Sequence, residues 1–215
     1  MTEGHGPGET ATGGRPEGAA AWDARYLSRE RLFSGRPGGV LVAEVAGLPS
    51  GQALDVGCGE GADALWLAAR GWRVTAVDIS RVALERAARA AAGVGNVAWA
   101  RADLEVTGPP AGAFDLVSLQ YFPLRRRPGH AALRRLLAAV APGGTLLVVG
   151  HDPAGLTPEA AGGFDPADYY QPTEIAALLG AGWTVLADET RPRVAPAPEG
   201  THHTHDTVLR AVRSA

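Results

Sequence analysis

The chain has 215 residues, 46% of them hydrophobic and 20% charged, with 23 acidic and 20 basic side chains for a formal net charge of -3. That length suits one domain with a short appendage, that apolar content closes a core, and the slightly acidic balance offers a phosphate backbone no global attraction, so no nucleic-acid partner is expected. Cys58 is the single cysteine, which excludes an internal disulfide and any Cys-rich zinc module, and apolar runs such as 131–140 and 145–149 fall well short of the roughly 20 residues of a membrane span.

Residues 1–20 are rich in Gly, Thr, Pro and Glu without periodicity and read as a disordered tail. They lack the basic patch and apolar stretch of a secretory signal, so a cytoplasmic location is expected. From Trp22 to Phe33 a helical pattern puts Trp22, Arg25, Tyr26 and Arg29 on one side. A Gly-Arg-Pro-Gly-Gly turn and a second helical pattern over 40–45 follow, so residues 21–50 read as a small helical cap.

Residues 51–215 read as one domain in which strand and helix patterns alternate. Strands are predicted over 53–56, 73–77, 97–101, 114–120 and 145–150, and helices over 61–70, 81–92 and 130–140, with Ser80 as the cap of the second. Alternation of this kind means an α/β fold, a parallel sheet covered by helices. The end differs. Thr173 can cap a helix over 174–179, and strands over 183–188 and 207–212 are joined by a Pro-rich loop with no helix in it, which makes them antiparallel neighbours.

The stretch Leu54-Asp55-Val56-Gly57-Cys58-Gly59-Glu60-Gly61 lies between the first strand and the next helix. Glycines there let backbone pass close to a ligand and open a helix N-terminus toward it. Gly57, Gly59 and Ala62 also satisfy the relaxed dinucleotide fingerprint, so a nicotinamide-dependent oxidoreductase stays in view. Asp78 closes the second strand, where a carboxylate can accept both ribose hydroxyls of an adenine nucleoside. Asp103, just past the third strand, is a second acid on the same edge, able to accept a hydrogen bond from an adenine amine.

The run from Ala53 to Ser80, with Asp103-Leu104, Phe114-Asp115-Leu-Val and Pro142-Gly143-Gly144 before a strand, resembles class I S-adenosylmethionine-dependent methyltransferases. Trp22-Asp23-Ala24-Arg25-Tyr26, Ser34-Gly35-Arg36-Pro37 and Gly59-Glu60-Gly61-Ala62-Asp63 are similar to the branch with tellurite-resistance and thiopurine methyltransferases. The resemblance implies a Rossmann-like, seven-stranded, mostly parallel sheet with an antiparallel last strand, and S-adenosyl-L-methionine as cofactor. It implies a cofactor-binding set of Trp22, Tyr26, Arg36, Asp55, Gly57, Cys58, Gly59, Gly61, Asp63, Asp78, Ile79, Asp103, Leu104 and Gln120. In that set the glycines pass around the methionine portion, and Trp22, Tyr26 and Arg36 belong to a lid.

Methyl transfer from a sulfonium is an in-line displacement, so the protein mainly aligns nucleophile, methyl carbon and leaving sulfur. A soft sulfur, selenium or tellurium nucleophile needs no strong base, whereas a hydroxyl or ammonium of a biosynthetic intermediate must lose a proton. The small-molecule methyl acceptor is expected beyond the carboxyl ends of the parallel strands. Tyr121 can steer it there, and His151 with Asp152 can form a base with an orienting acid. Tyr169 and Tyr170 can wall the pocket. Arg191 is similar in position to an arginine that faces the acceptor in the tellurite-resistance enzymes, which suits an anionic substrate. His202, His203 and His205 crowd one segment, but alternation along a strand leaves only two on one face, so no metal site is expected. A monomer or homodimer is expected. A non-catalytic binding protein, or another reaction of the same cofactor, also fits these residues.

Overall fold

The computed structural model describes residues 18–154, 165–194 and 204–215, so the expected tail up to residue 17, His202 and His203 lie outside the described residues. Two short helices come first, α1 (Gly18–Leu27) and α2 (Gly39–Val45). Strand and helix then alternate through β1 (Gln52–Val56), α3 (Ala62–Ala68), β2 (Arg73–Asp78), α4 (Arg81–Ala90), β3 (Val97–Arg101), β4 (Phe114–Gln120), α5 (Ala131–Ala139) and β5 (Val140–His151). The last elements are α6 (Pro172–Leu178), β6 (Trp183–Pro192) and β7 (His205–Arg213).

The strands form one seven-stranded sheet in the order β3-β2-β1-β4-β5-β7-β6. Neighbours from β3 through β5 pair in parallel, while β7 runs antiparallel to both β5 and β6. This is the mostly parallel sheet with an antiparallel last strand expected from the sequence. The chain builds β1, β2 and β3 outward in one direction and then crosses to β4 on the other side of β1. The connections leaving β1 and β4 therefore diverge and open a crevice at the carboxyl edge.

Alternation along each strand feeds two cores. Leu54, Val56, Val117, Leu119, Leu146 and Leu209 point to the face covered by Leu133 and Leu136 of α5 and Ile175 of α6. Ala53, Leu116, Leu147, Val149 and Val208 point to the opposite face, covered by Leu41 and Val45 of α2, Leu67 of α3 and Leu84 of α4. Leu54, Leu116 and Leu147 have no accessible surface. Cutting any of them to Ala costs about 2–5 kcal/mol.

Three local readings change. The first helix begins at Gly18, inside the segment read as tail, and ends at Leu27 instead of Phe33. Beyond it the Arg29 carbonyl accepts from Arg86, and Glu60 takes the Leu32 and Phe33 N–H groups, so distant side chains outcompete another helical turn. The cap of α6 is Gln171, not Thr173: Gln171 and Glu174 form a reciprocal capping box and Pro172 starts the helix with its φ preset. Ser80 does cap α4, its hydroxyl accepting the Ala83 N–H at 3.2 Å.

Candidate active site

The loop after β1 is bent back onto β2: the N–H groups of Gly57 and Cys58 both donate to the Val77 carbonyl, at 2.8 and 3.0 Å. Gly57 and Gly59 adopt φ of +69° and +53°, a region that L side chains avoid. Contact reinforces the requirement. A Cβ on Gly57 would stand 2.5 Å from the Phe122 ring, and one on Gly59 would stand 2.9 Å from the Tyr26 hydroxyl. Gly61, also at positive φ, is the residue from which α3 starts.

Asp78 ends β2 beside this loop, 8% exposed. Its Oδ2 accepts the Gly59 N–H at 2.9 Å and its Oδ1 the Ser80 N–H at 2.8 Å. Burial raises its pKa above the ordinary carboxylate value, opposed by the N–H groups of Ser80, Gly59 and Ile79. A carboxylate offers about four acceptor sites, so with three N–H groups bound the side chain still has capacity for a ligand hydroxyl. Asp103 lies exposed past β3, its Oδ1 accepting the Glu105 N–H at 2.9 Å, and Leu104 beside it is buried.

A second group of acceptors gathers where β1, α3, β4 and the start of α2 meet. Asp55 is 2% exposed; one oxygen accepts the Ala64 N–H, and Oδ2 has no hydrogen-bond partner. Asp63, in the first turn of α3, accepts the Gly38 N–H at 2.7 Å. Gln120 donates to Ser118 Oγ, while its Oε1 is buried without a partner. A Cβ on Gly38 would meet Gln120 Oε1 at 3.2 Å and Asp63 Oδ1 at 3.7 Å, so these groups face one small space. Burial pushes Asp63 up to about 6, and it pushes Asp55 well up, with the neighbouring Asp63 and Asp78 charges adding to the effect. Cys58, 8% exposed, is a thiol held neutral by burial, with Asp55 and Asp78 adding to the effect. Buried acceptors without donors of their own are what a bound cation with N–H groups satisfies.

The helical segment before β1 lies across this edge. Tyr26 is 2% exposed, packs edge-on against Phe33 and lies tilted against Trp22 with ring centres 6.2 Å apart. Burial raises the Tyr26 phenol, so it remains a neutral donor. Arg36 is exposed, and its backbone N–H bonds Ser34 Oγ. Glu60 of the glycine loop accepts the N–H groups of Leu32 and Phe33 and pairs with Arg86 at 2.9 Å.

At the ends of β4 and β5 lies a cluster of different character. Tyr121 holds a φ of +55°, a strained conformation for a non-glycine residue. Its ring stacks on His151 at 4.3 Å, the guanidinium carbon of Arg193 lies 5.4 Å from the ring centre, and its hydroxyl bonds Asp206. Burial, together with the Asp206 charge, raises this phenol too. The acid beside His151 is Asp206, directly across the sheet; Asp152 instead accepts the Ala154 N–H. Arg191 is held by Glu44 of α2 at 2.7 Å and by Glu189, so Arg193 is the arginine that reaches His151. Tyr169 and Tyr170 pack on other partners, Tyr169 bridging to Arg125 and Tyr170 bonding His130. Among the described residues no three His, Cys, Asp or Glu side chains are grouped to hold a metal, and no helix is long and apolar enough to cross a membrane.

The roles of Glu60 and Asp206, and of Asp23 on α1, have no local signal, since their partners lie 13 to 59 residues away. Only the placing of Arg193 and Asp206 on either side of the last connection hints at a meeting.

Residues 53–144 match the family described as "Methyltransferase domain". The chain is 35% identical over 156 residues to the ribosomal RNA small subunit methyltransferase C of Chromohalobacter salexigens, which covers 69% of this chain and 41% of that protein. It is 31% identical over 138 residues to the probable thiol methyltransferase 2 of Arabidopsis thaliana, covering 61% of this chain and 57% of that one. A solved structure concerning conversion of a disulfide bond into a thioacetal group during echinomycin biosynthesis superposes with a TM-score of 0.69 at 25% identity, covering 91% of this chain and 92% of that one. The chain spans about half the length of the curated relatives it matches.

Proposed function

We propose that this chain, whose residues 53–144 are a methyltransferase domain of the class I fold taking S-adenosyl-L-methionine, transfers a methyl group in line to a heteroatom of a small molecule. Sulfur, selenium or tellurium is the acceptor atom if the likeness to tellurite-resistance and thiopurine enzymes extends to substrate, and oxygen or nitrogen if the protein tailors a biosynthetic intermediate. The observation that carries the reading is the buried acceptor group. Asp55 Oδ2 and Gln120 Oε1 lack donors and lie near a second, partly buried carboxylate, Asp63.

When bound, the cofactor supplies an electrophilic methyl on a sulfonium and an α-ammonium whose N–H groups suit that acceptor group. Asp78 would accept the ribose hydroxyls with Ile79 beside it, Asp103 with Leu104 would take the adenine, and the main chain of Gly57, Gly59 and Gly61 with Cys58 would follow the methionine portion. Trp22, Tyr26 and Arg36 would close the lid. Tyr121 and His151 would then face the acceptor. Arg191 is better suited to bracing α2 through Glu44 than to binding an anion, since its charge is already met.

A small acceptor is supported by the activity named for the probable thiol methyltransferase of Arabidopsis thaliana and by the structure from echinomycin biosynthesis. The ribosomal relative points elsewhere, but a net charge of -3 disfavours a polyanionic partner. The test uses methyl-labelled S-adenosylmethionine with a panel of thiols, selenite, tellurite, phenols and amines. Label in any small product supports the reading. Calorimetry with S-adenosylhomocysteine against NAD runs beside it, and binding of NAD alone would overturn it.

A further inference from the structure

The segment between α1 and α2 borders a cleft of about 470 Å³ with α3 and α4, within the size range of small-molecule sites. Ala62 and Leu65 of α3 and Ala90 of α4 give the cleft apolar walls. It shares no lining residue with Asp55, Asp63, Asp78 or Gln120, the acceptors of the candidate active site. Two of its charged groups are already paired. Arg86 bonds Glu60 at 2.9 Å and also donates to the Arg29 carbonyl.

Arg31 and Arg89 differ from that pair. Arg31 belongs to the segment and Arg89 to the last turn of α4, and both are exposed at the cleft. Among the described residues neither guanidinium takes part in an ion pair or a hydrogen bond. Glu85 stands one turn before Arg89, a spacing that suits pairing, but it is held by Arg81. The Arg31 guanidinium is folded against Gly35, where a Cβ would stand 2.8 Å from Nη1. Gly35 also holds a φ of +69°, so glycine serves both the backbone and the side chain packed on it. Glu30 is the remaining acid of the lining, which leaves two guanidinium groups facing one carboxylate.

We propose that this cleft is a second ligand site, apart from the cofactor edge, that takes an organic anion: a carboxylate or phosphate head bridging Arg31 and Arg89, on an apolar body lying against Ala62, Leu65 and Ala90. The planar fork of a guanidinium matches two oxygens of either head group, so one anion satisfies both arginines. The bridge adds a tie between the segment and α4 beside the one that Glu60 and Arg86 make. A bound anion therefore steadies the segment, and the cleft acts as an effector site whether or not the chain transfers a methyl group.

Calorimetry of the full chain with hexyl phosphate, hexanoate, inorganic phosphate and hexyltrimethylammonium tests the chemistry. At least one of the two organic anions is expected to bind at a single saturable site, and the cation is not. Inorganic phosphate is expected to bind about tenfold or more weakly than hexyl phosphate, because it buries no apolar surface. Binding of neither organic anion, equal binding of inorganic phosphate, or binding of the cation would overturn the proposal.

Arg31→Met and Arg89→Met are each expected to weaken the anion by about tenfold or more, the scale of lost hydrogen bonds to a charged group. Unchanged affinity in either would overturn the bridge. Arg134→Met removes an exposed arginine outside the cleft, and an equal loss there would overturn the site in favour of a general charge effect. If one cleft variant does not fold, the other decides. Amides of residues 28–36 are expected to exchange more slowly with the anion bound, and unchanged exchange would overturn the tie. The anion is expected to bind equally well with S-adenosylhomocysteine present; mutual exclusion would place it at the cofactor edge and overturn the separate site. Failure of S-adenosylhomocysteine to bind at all would remove the cofactor reading and leave the anion result standing.

Discussion

The carboxylate of Asp23 accepts a hydrogen bond from the Ser80 hydroxyl at 2.5 Å, while Ser80 Oγ accepts the Ala83 N–H. Asp23 also takes the Val82 N–H at 3.1 Å. The first helix thus completes the N-terminal cap of α4 from 57 residues away, two positions beyond the proposed ribose acid Asp78. The first helix and the carboxyl edge of the sheet are tied by one short polar chain. The Ser80 hydroxyl is the main reason that the Asp23 pKa lies below its ordinary value. Its contribution is therefore present at neutral pH and is lost as pH falls through that lowered value.

Replacing Asp23 with Ala is expected to cost about 1 kcal/mol, the scale of a lost helix cap. The sharper readout is hydrogen exchange: amides of α1 should exchange faster while those of β4 and β5 do not. Uniform acceleration across the sheet would mean that Asp23 supports the whole domain and not α1 alone.

Glu60 is the second tie. Its side chain, 12% exposed, accepts two N–H groups of the segment after α1 and pairs with Arg86, itself 18% exposed. Because both groups keep some contact with water, Glu60→Ala is expected to cost about 2 kcal/mol, less than a fully buried pair. Trypsin should then cut after Arg29 or Arg31 faster than in the wild type. An unchanged cleavage rate at those sites would show that Glu60 does not hold the segment.

Asp63, pushed up to about 6 by burial, is expected to give cofactor binding a pH dependence. An α-ammonium beside it favours the ionised carboxylate, so binding expels the proton and affinity should rise with pH up to about 6, then level off. In the ligand-free protein the sign is opposite. A raised carboxylate contributes stability below its unfolded value, near 4, and loses it as pH rises through 6, by up to about 3 kcal/mol. Calorimetry with S-adenosylhomocysteine from pH 5 to 8 checks the first, and Asp63→Asn should flatten both.

Asp78→Ala is expected to weaken S-adenosylhomocysteine by about 2–3 kcal/mol, the loss of hydrogen bonds to a charged group. It also strands the Gly59 and Ser80 N–H groups, so the melting temperature should fall with it. An unchanged affinity in a protein of lowered stability would leave Asp78 a loop anchor and remove the ribose assignment.

Arg191 and Arg193 should separate cleanly. Arg191 and Arg210 share Glu44, so Arg191→Ala is expected to lower the melting temperature and leave the acceptor KM in place. A raised KM with no loss of stability would return Arg191 to the acceptor site.

The strand order explains which parts of the site were legible. Gly57, Gly59, Asp78 and Gln120 stand at strand ends or in the turn that follows, where an apolar run meets a glycine or a polar residue, and such boundaries are visible in one dimension. The pairing of His151 was not. Asp152 is adjacent in sequence and the obvious acid, yet β7 inserts between β5 and β6 and delivers Asp206 instead. Arg191 was legible as an exposed arginine near the site, but its partner Glu44 lies 147 residues earlier, on α2.

By itself, the sequence determined the alternation of strands and helices, the two-faced burial of the sheet and the glycine loop with its acids. Those features follow from periodic burial and from φ values that only glycine holds cheaply, both of which are local. The tertiary structure alone decided that Asp23 completes the cap of α4, that Glu60 fastens the segment after α1 and that Arg193 contacts both Asp206 and His151. Each of these is a side-chain contact between elements brought together by strand order, and strand order is set by how the whole core closes, not by any residue's neighbours along the chain.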